Sequence, residues 1–314
     1  MHNHKHLYSF IYDKNENDLC KLESRSIFEQ EEKNKLLFSN IKVEPSSSAF
    51  IKRRLDIISS SEDYSELIDK IKKEEICIEG FKVEYFVLAG DTTEYTERLH
   101  KLKDIGYSIE GYPDYYHPIL TYALCYYGGV WYFGILTKNN FVWLNHNDKP
   151  CSYSNSIGVH IAKALVNIAA KGDKECTLLD ACCGVGTIML EACFAGYNIE
   201  GCDINEKIYK HAKENIAHFN YSANVYHSDI KDISKEYDAA IIDLPYNLYS
   251  VATESQILHI IESTAKTTHR LVIVSTSDIS NIISTAGLKI IETCNASKIG
   301  KANFIRKIWV CEKV

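Results

Sequence analysis

From residue 157 onward, short β-rich runs alternate with amphipathic helical segments, and that alternation restricts this half of the chain to very few architectures. Residues 157–170 read as an apolar helix, 177–180 as a strand, 187–195 as a helix stopped by Gly196, 198–203 as a strand and 206–219 as a helix. Further strands are expected at 223–227, 239–243 and 271–275. Such βαβα order predicts a parallel sheet covered by helices on both faces. The tail departs from it: 288–293 and 304–310, separated by a Gly-containing connection at 296–302, predict a terminal antiparallel pair. The fold class expected is therefore α/β and Rossmann-like, preceded by an N-terminal α+β region.

That region shows strands at 7–12 and 81–88, and helices at 18–28, 65–73 and 98–105, the last ended by Gly106. Asp63 or Ser65 is the candidate N-cap of the second helix. A tyrosine-rich stretch, 111–134, reads as strands with turns at Gly128-Gly129. The polar segment 145–156, with Pro150, marks the expected boundary: one domain over 1–150, a second over 151–314.

Composition narrows the partners. The formal net charge is −7, which counts against a tight, non-specific grip on phosphates but leaves room for a local basic patch. Eleven cysteines without a paired CxxC pattern predict no zinc site and no other metal, and His2, His4 and His6 read as a polar terminus. No apolar run approaches the ~20 residues that span a bilayer, so no membrane partner is expected. The first residues lack a signal peptide's apolar core, and with the odd cysteine count this gives a cytoplasmic expectation.

The chemistry concentrates at predicted strand ends. Asp180-Ala181-Cys182-Cys183-Gly184-Val185-Gly186-Thr187 joins the first strand of the α/β half to its helix. Gly184 and Gly186 permit a tight turn and let a ligand approach the backbone. Met189 stands where a dinucleotide fingerprint requires its third glycine, which argues against NAD. Asp203 ends the next strand, where an acid accepts hydrogen bonds from both hydroxyls of a ribose. Ile204 and Asn205 follow it. Asp229 and Ile230, after the third strand, are placed to take an adenine's amino group and ring face. A plain turn and a ligand-free strand end are the blander alternatives, which the ordered set disfavours.

Ile241-Ile242-Asp243-Leu244-Pro245-Tyr246 follows the fourth strand and matches the Asp/Asn-x-Pro-Tyr/Phe pattern of methyltransferases acting on planar nitrogens. An exocyclic amine is a poor nucleophile because its lone pair is delocalised. The Asp243 carboxylate and the Leu244 carbonyl accept its two N–H bonds, Pro245 stiffens the loop, and Tyr246 stacks on an extruded base. Together these residues make the catalytic candidates.

With its D-x-x-C-G-x-G-T loop, Asp203-Ile204-Asn205, Asp229 and Asp243-to-Tyr246, the chain resembles the tRNA guanosine-N2 methyltransferases of the Trm11 and archaeal Trm-G10 type, the UPF0020-type family. The resemblance implies a Rossmann-like, S-adenosyl-L-methionine (SAM)-dependent domain with a mostly parallel seven-stranded sheet and a C-terminal antiparallel hairpin. It implies SAM as cofactor and RNA, tRNA above all, as substrate. Ser154-Asn155-Ser156 and the helix through 162–167 match the segment that closes over the methionine part of the cofactor in the family. Asp180, Cys182, Gly184, Gly186, Thr187, Asp203, Ile204, Asn205, Asp229 and Ile230 complete the implied cofactor set. The family's N-terminal ferredoxin-like and THUMP regions make the first 150 residues a candidate RNA-binding domain.

Two departures stand out. The usual D-P-P-Y reads D-L-P-Y here, so Leu244→Pro is expected to be tolerated. N-L-P-Y in rRNA dimethyladenosine transferases keeps adenine N6 open as a target. A protein-glutamine or small-molecule N-methyltransferase, or an inactive SAM-fold RNA-binding protein, are the other readings. Tyr246 stands where cytosine-C5 enzymes would need a cysteine, so covalent catalysis is not expected. Lys52-Arg53-Arg54 reads as a solvated run, the tyrosines between 107 and 132 as packing residues, and Lys301 and Arg306 as substrate-facing candidates.

Overall fold

The structure, a computed structural model, describes residues 4–153, 156–247, 250–251, 253–298 and 301–314, with only the backbone at 246–247, 250–251, 297–298 and 301–304. The first elements in chain order are β1 (His6–Phe10), α1 (Asn17–Phe28), β2 (Leu36–Ser39), β3 (Ile51–Ser61), α2 (Tyr64–Lys73), β4 (Phe81–Tyr85), α3 (Tyr95–Gly106), β5 (Leu120–Tyr127) and β6 (Val130–Lys138). The chain divides into two compact units: residues 1–11, 32–45 and 51–140 form the first, and 12–31, 46–50 and 141–314 the second. This is not a single cut at residue 150, because α1 belongs to the second unit.

Among the described residues the first unit has a six-stranded sheet in the order β2-β1-β3-β6-β5-β4. Its pairs are antiparallel except β4 with β5. Leu67 and Ile71 of α2 and Ile105 of α3 cover Phe81, Trp131 and Phe133 on one face. Asp63 is the cap of α2, accepting from Glu66 N at 2.9 Å. Strand β3 was not expected. Its charged start hides it, yet Arg54 is buried, donating to Asp56 Oδ1 at 2.7 Å and to the Val43 carbonyl at 2.8 Å. The expected packing role of the tyrosines holds for Tyr122 but not for Tyr107, Tyr112, Tyr115 and Tyr116, which are 63–89% exposed. The last three lie in the loop after α3, where strands were expected.

The second unit adds α4 (Val159–Ala170), β7 (Thr177–Asp180), α5 (Thr187–Phe194), β8 (Asn198–Asp203), α6 (Glu206–His218), β9 (Asn224–His227) and β10 (Tyr237–Asp243). There follow the short pair β11 (Tyr246–Asn247) and β12 (Ser250–Val251), α7 (Glu254–Thr267), β13 (Thr268–Ser275), α8 (Ser280–Thr285), β14 (Leu288–Lys298) and β15 (Lys301–Lys313). Among the described residues the sheet has seven strands in the order β14-β15-β13-β10-β7-β8-β9. The five from β13 to β9 are parallel; β15 runs antiparallel to both its neighbours, β13 and β14. The terminal hairpin runs longer than expected, through most of the segment read as its connection. No helix among the described residues is long and apolar enough to cross a membrane.

Polar ties hold α1 and α4 in place. Asn167 of α4 donates to Glu23 of α1 at 2.7 Å, and Ser48 donates to the other Glu23 oxygen at 2.7 Å. Glu23 is fully buried, which pushes its carboxyl up to about 7. Arg25 donates to Glu292 of β14 at 2.7 Å. In α5, Glu191 is buried between Lys163 Nζ at 3.2 Å and His146 Nδ1 at 2.6 Å. Lys163 and Asn167 thus point into the unit's interior.

The glycine missing from the α5 side of the β7–α5 turn is supplied by the strand beneath it. A Cβ at Gly201 of β8 would collide with Met189 Sδ and stand 3.0 Å from Cys183 Cβ. Close helix-on-strand packing therefore comes from a glycine in the strand under a large residue in the helix. Gly201→Ala should cost about 1–3 kcal/mol through overpacking. Adding Met189→Ala should recover part of that loss in denaturant unfolding; an unchanged midpoint for Gly201→Ala would refute the packing argument.

Candidate active site

Strand order reverses between β7 and β10: the chain leaves β7 toward β8 and β9 on one side and returns to β10 and β13 on the other. A crevice opens at the carboxyl ends of the strands at such a point. Asp180 ends β7, Asp203 ends β8 and Asp243 ends β10, so three carboxylates meet there.

The turn after β7 is pinned to both neighbours. Ala181 N donates to the Ile241 carbonyl of β10 at 3.0 Å, and Cys183 N to the Cys202 carbonyl of β8 at 2.9 Å. Gly186 has φ +79°, and a Cβ there would lie 3.3 Å from Ala212 Cβ of α6. Gly184 has φ +55°, and nothing stands within 4 Å of where its Cβ would be. The first glycine is needed for the turn and its approach to α6; the other leaves the backbone bare on the cleft side.

Asp203 accepts from Gly184 N at 3.0 Å and from Asn205 N at 2.8 Å, one bond to each oxygen. Burial raises its carboxyl above the ordinary range, and these two N–H groups oppose the rise. An ionised carboxylate offers about four acceptor sites, so two remain for ligand hydroxyls.

Two adjoining hollows share Cys182, Asp203 and Pro245. The first, about 480 Å³, takes in Ser156, Gly184, Thr187, Asn205, Asp243 and Leu244. The second, about 520 Å³, takes in Ile204, Asp229 and Ile230. Most of the residues singled out from the sequence are thus brought together. Asp180 and Gly186 lie beneath the site and line neither hollow. Ser154 and Asn155, and the side chains of Tyr246 and Lys301, lie outside the described residues. The helix expected to close over the cofactor does not line the hollows; Tyr153, Ser156 and Ile157 before it do. Arg306 is fully buried, with Nη2 3.5 Å from the Ser156 carbonyl, so it does not face a substrate.

Sequence reasoning missed the wall that α7 supplies to the second hollow, Gln256 and His259 among it. The signal was present: Thr253 and Gln256 form a capping box, followed by Ile257, Ile260 and Ile261 at helical spacing. His259 Nε2 lies 3.9 Å from Asp229 Oδ1, the same oxygen that accepts from Lys231 N at 3.1 Å.

The electrostatics disfavour thiol chemistry. Burial pushes the Cys182 and Cys183 thiols well above their usual range, and the neighbouring carboxylates push further. Both are thereby weakened as nucleophiles near neutral pH. Asp180 is fully buried and also raised well above its ordinary value, first by burial, then by Asp243 and Asp203. Thr187 Oγ1, at the mouth of α5, is buried without a hydrogen-bond partner among the described residues. No group of three His, Cys, Asp or Glu among the described residues is arranged to hold a metal.

Residues 147–297 match the family described as RMKL-like, methyltransferase domain (UPF0020). This part of the chain is thus similar to a methyltransferase domain of that family. Over 119 residues it is 29% identical to the tRNA (guanine(10)-N2)-dimethyltransferase of Methanothermobacter thermautotrophicus, covering 36% of this chain and 34% of that protein. The chain therefore spans about a third of the length of this curated relative. Among solved structures it is similar to TrmN from Thermus thermophilus, at 13% identity and TM-score 0.48, covering 98% of this chain and 99% of that one. It is also similar to the magnesium protoporphyrin IX methyltransferase of Synechocystis PCC 6803 with bound SAH, at 19% identity and TM-score 0.42, covering 50% and 83%.

The structure overturns one expectation about this methyltransferase domain's D-L-P-Y run. Leu244 N donates to the Val274 carbonyl at 3.1 Å, and its side chain is buried in the core beneath β10 and β13. Proline has no N–H to give and would strand that carbonyl. Leu244→Pro should destabilise the protein by at least about 2 kcal/mol, from the lost hydrogen bond and the lost packing. Thermal unfolding of the variant checks this; a wild-type midpoint would refute it.

Proposed function

We propose that the chain is a SAM-dependent N-methyltransferase acting on an exocyclic amine of an RNA base, with guanosine N2 in tRNA as the preferred target. The observation that carries this reading is Asp243 at the carboxyl end of β10, facing the same cleft as the bare Gly184 backbone and Asp203. The residues fit the cofactor the family implies: Gly184 leaves space for it, and the unpartnered Thr187 hydroxyl and Asp180 carboxylate lie at or beneath the cleft. Asp203 would hold its ribose and the Ile204–Ile230 hollow its adenine. Bound there, SAM supplies an electrophilic methyl group carried on a sulfonium.

The protein's own work is to prepare the nitrogen. Asp243 accepts one N–H of the target amine and the Leu244 carbonyl the other. This fixes the nitrogen and favours the positive charge that grows on it. As the nitrogen gained the methyl carbon, that carbon's bond to sulfur would break and leave a neutral thioether, and Asp243 would be the acceptor for the N–H proton then lost. The exposed tyrosines of the first unit are suited to stacking unpaired bases.

Asp243→Ala should lower the single-turnover rate roughly 10²–10³-fold, as for loss of one preorganised partner, with SAM affinity little changed. Asp203→Ala should weaken SAM binding on the order of 100-fold, about 2.7 kcal/mol, because it removes the ribose contacts and unties Gly184 and Asn205. Incubation with total RNA and labelled SAM, followed by identification of the labelled nucleoside, tests the target. Label on adenine N6 would move the assignment to that base, and a normal single-turnover rate for Asp243→Ala would reduce the motif to a turn.

A further inference from the structure

The least satisfied group at the site is Asp180. Its side chain is fully buried, and neither carboxylate oxygen has a well-formed hydrogen bond among the described residues. Only the backbone N–H of Cys182 exerts any pull on it. A buried carboxylate in that condition is costly as an anion, and the ordinary remedies, a lysine, an arginine or several N–H donors, are absent from the described residues around it. The neighbours make matters worse. Asp203 and Asp243 end the adjacent strands on either side, and Cys182, Cys183 and Cys202 contribute thiols that burial keeps from ionising easily and that bring no positive charge. On α5 and α4, Glu191 and Lys163 are committed to each other, and Lys163 is therefore not available to it. Lys207 lines the far side of the first hollow but is a solvent-exposed side chain.

Asp203 and Asp243 lining the first hollow, with the Asp180 carboxyl buried beneath them, suit a ligand that brings positive charge. The sulfonium and the α-ammonium of SAM supply two such charges. With the cleft empty, burial without a partner and the like charges of Asp203 and Asp243 favour the neutral form of Asp180; a cation in the cleft offsets those charges and favours the carboxylate. We propose that binding of the cationic cofactor in this cleft is coupled to loss of a proton from Asp180. The inference rests on the SAM-dependent reading above and makes Asp180 a positioning residue, which compensates the cofactor's charge without touching the reacting nitrogen. The proton passes to solvent; no covalent bond changes.

The sign follows from linkage. A group that is protonated in the free protein and ionised in the complex makes affinity rise with pH, by close to tenfold per pH unit where one proton is released. The rise stops above the pH at which Asp180 is already ionised in the empty cleft.

Titration calorimetry of the full-length protein with SAM, at pH 6, 7 and 8 in phosphate and in Tris, counts the protons from the difference in heat between buffers. About one proton should be released per SAM bound at the lower pH values. 5′-Methylthioadenosine, which keeps the nucleoside but carries neither cation, should release none. Asp180→Asn should bind SAM without proton release and with affinity independent of pH over this range. SAM binding to the wild-type protein without proton release overturns the inference and leaves the proposed function standing, and this readout does not depend on any variant folding. Release that persists in Asp180→Asn, or that accompanies methylthioadenosine, assigns the proton elsewhere and overturns it too. Failure of the wild-type protein to bind SAM at all removes the proposed function and this inference together.

Discussion

The turn between β7 and α5 exists because Gly186 can take a positive φ while lying against Ala212 of α6, and every functional group is positioned relative to that turn. Its two ends are stitched to the flanking strands by Ala181 and Cys183. Those stitches bring the carboxyl ends of β8 and β10 to a common level, with Asp203 and Asp243 on either side of Asp180. A side chain at position 186 would push α6 away. The peptide N–H of Gly184, which holds Asp203, would move with it.

Behind the turn, the unit relies on polar groups in its interior more than its apolar composition suggests. Glu191, one turn into α5, is shared by Lys163 and His146, and Glu23 is shared by Asn167 and Ser48. Such buried pairs are weak sources of net stability, since desolvation offsets most of the attraction. Their value is geometric: a carboxylate that must be satisfied by two named partners admits one arrangement of the helices. The cleft face carries the opposite condition, with acceptors left for something from outside.

Much of the second unit was legible because its central strands, such as β7, β10 and β13, are largely buried and bounded by turn residues. The strands at 177–180 and 198–203 are found where the alternation put them, and the three acids at strand ends fall in one crevice. What was missed was missed for physical reasons. Strand β3 carries three basic residues directly after Ile51, and a sequence cannot reveal that Asp56 of the same strand pairs with Arg54 while the Val43 carbonyl accepts from it. Helix α1 was found, but not its allegiance, because Glu23 on its buried face looks like a residue for water. Arg306 was misread for the same reason: charge was taken for exposure. The loop tyrosines erred in the other direction, since strand propensity says nothing about whether a neighbouring layer exists to cover them.

The placement of α1 has a temporal side. Arg25 reaches Glu292 across 267 residues of sequence. During synthesis, at roughly 5–20 residues per second, the helix leaves the ribosome well before the strand that receives it. It can meet Ser48 and then α4 as these emerge, through Glu23, but its tie to β14 waits until nearly all of the second unit is made. Completion of the second unit is thus a late event, in which β14 closes on a helix that Ser48 and α4 can already hold.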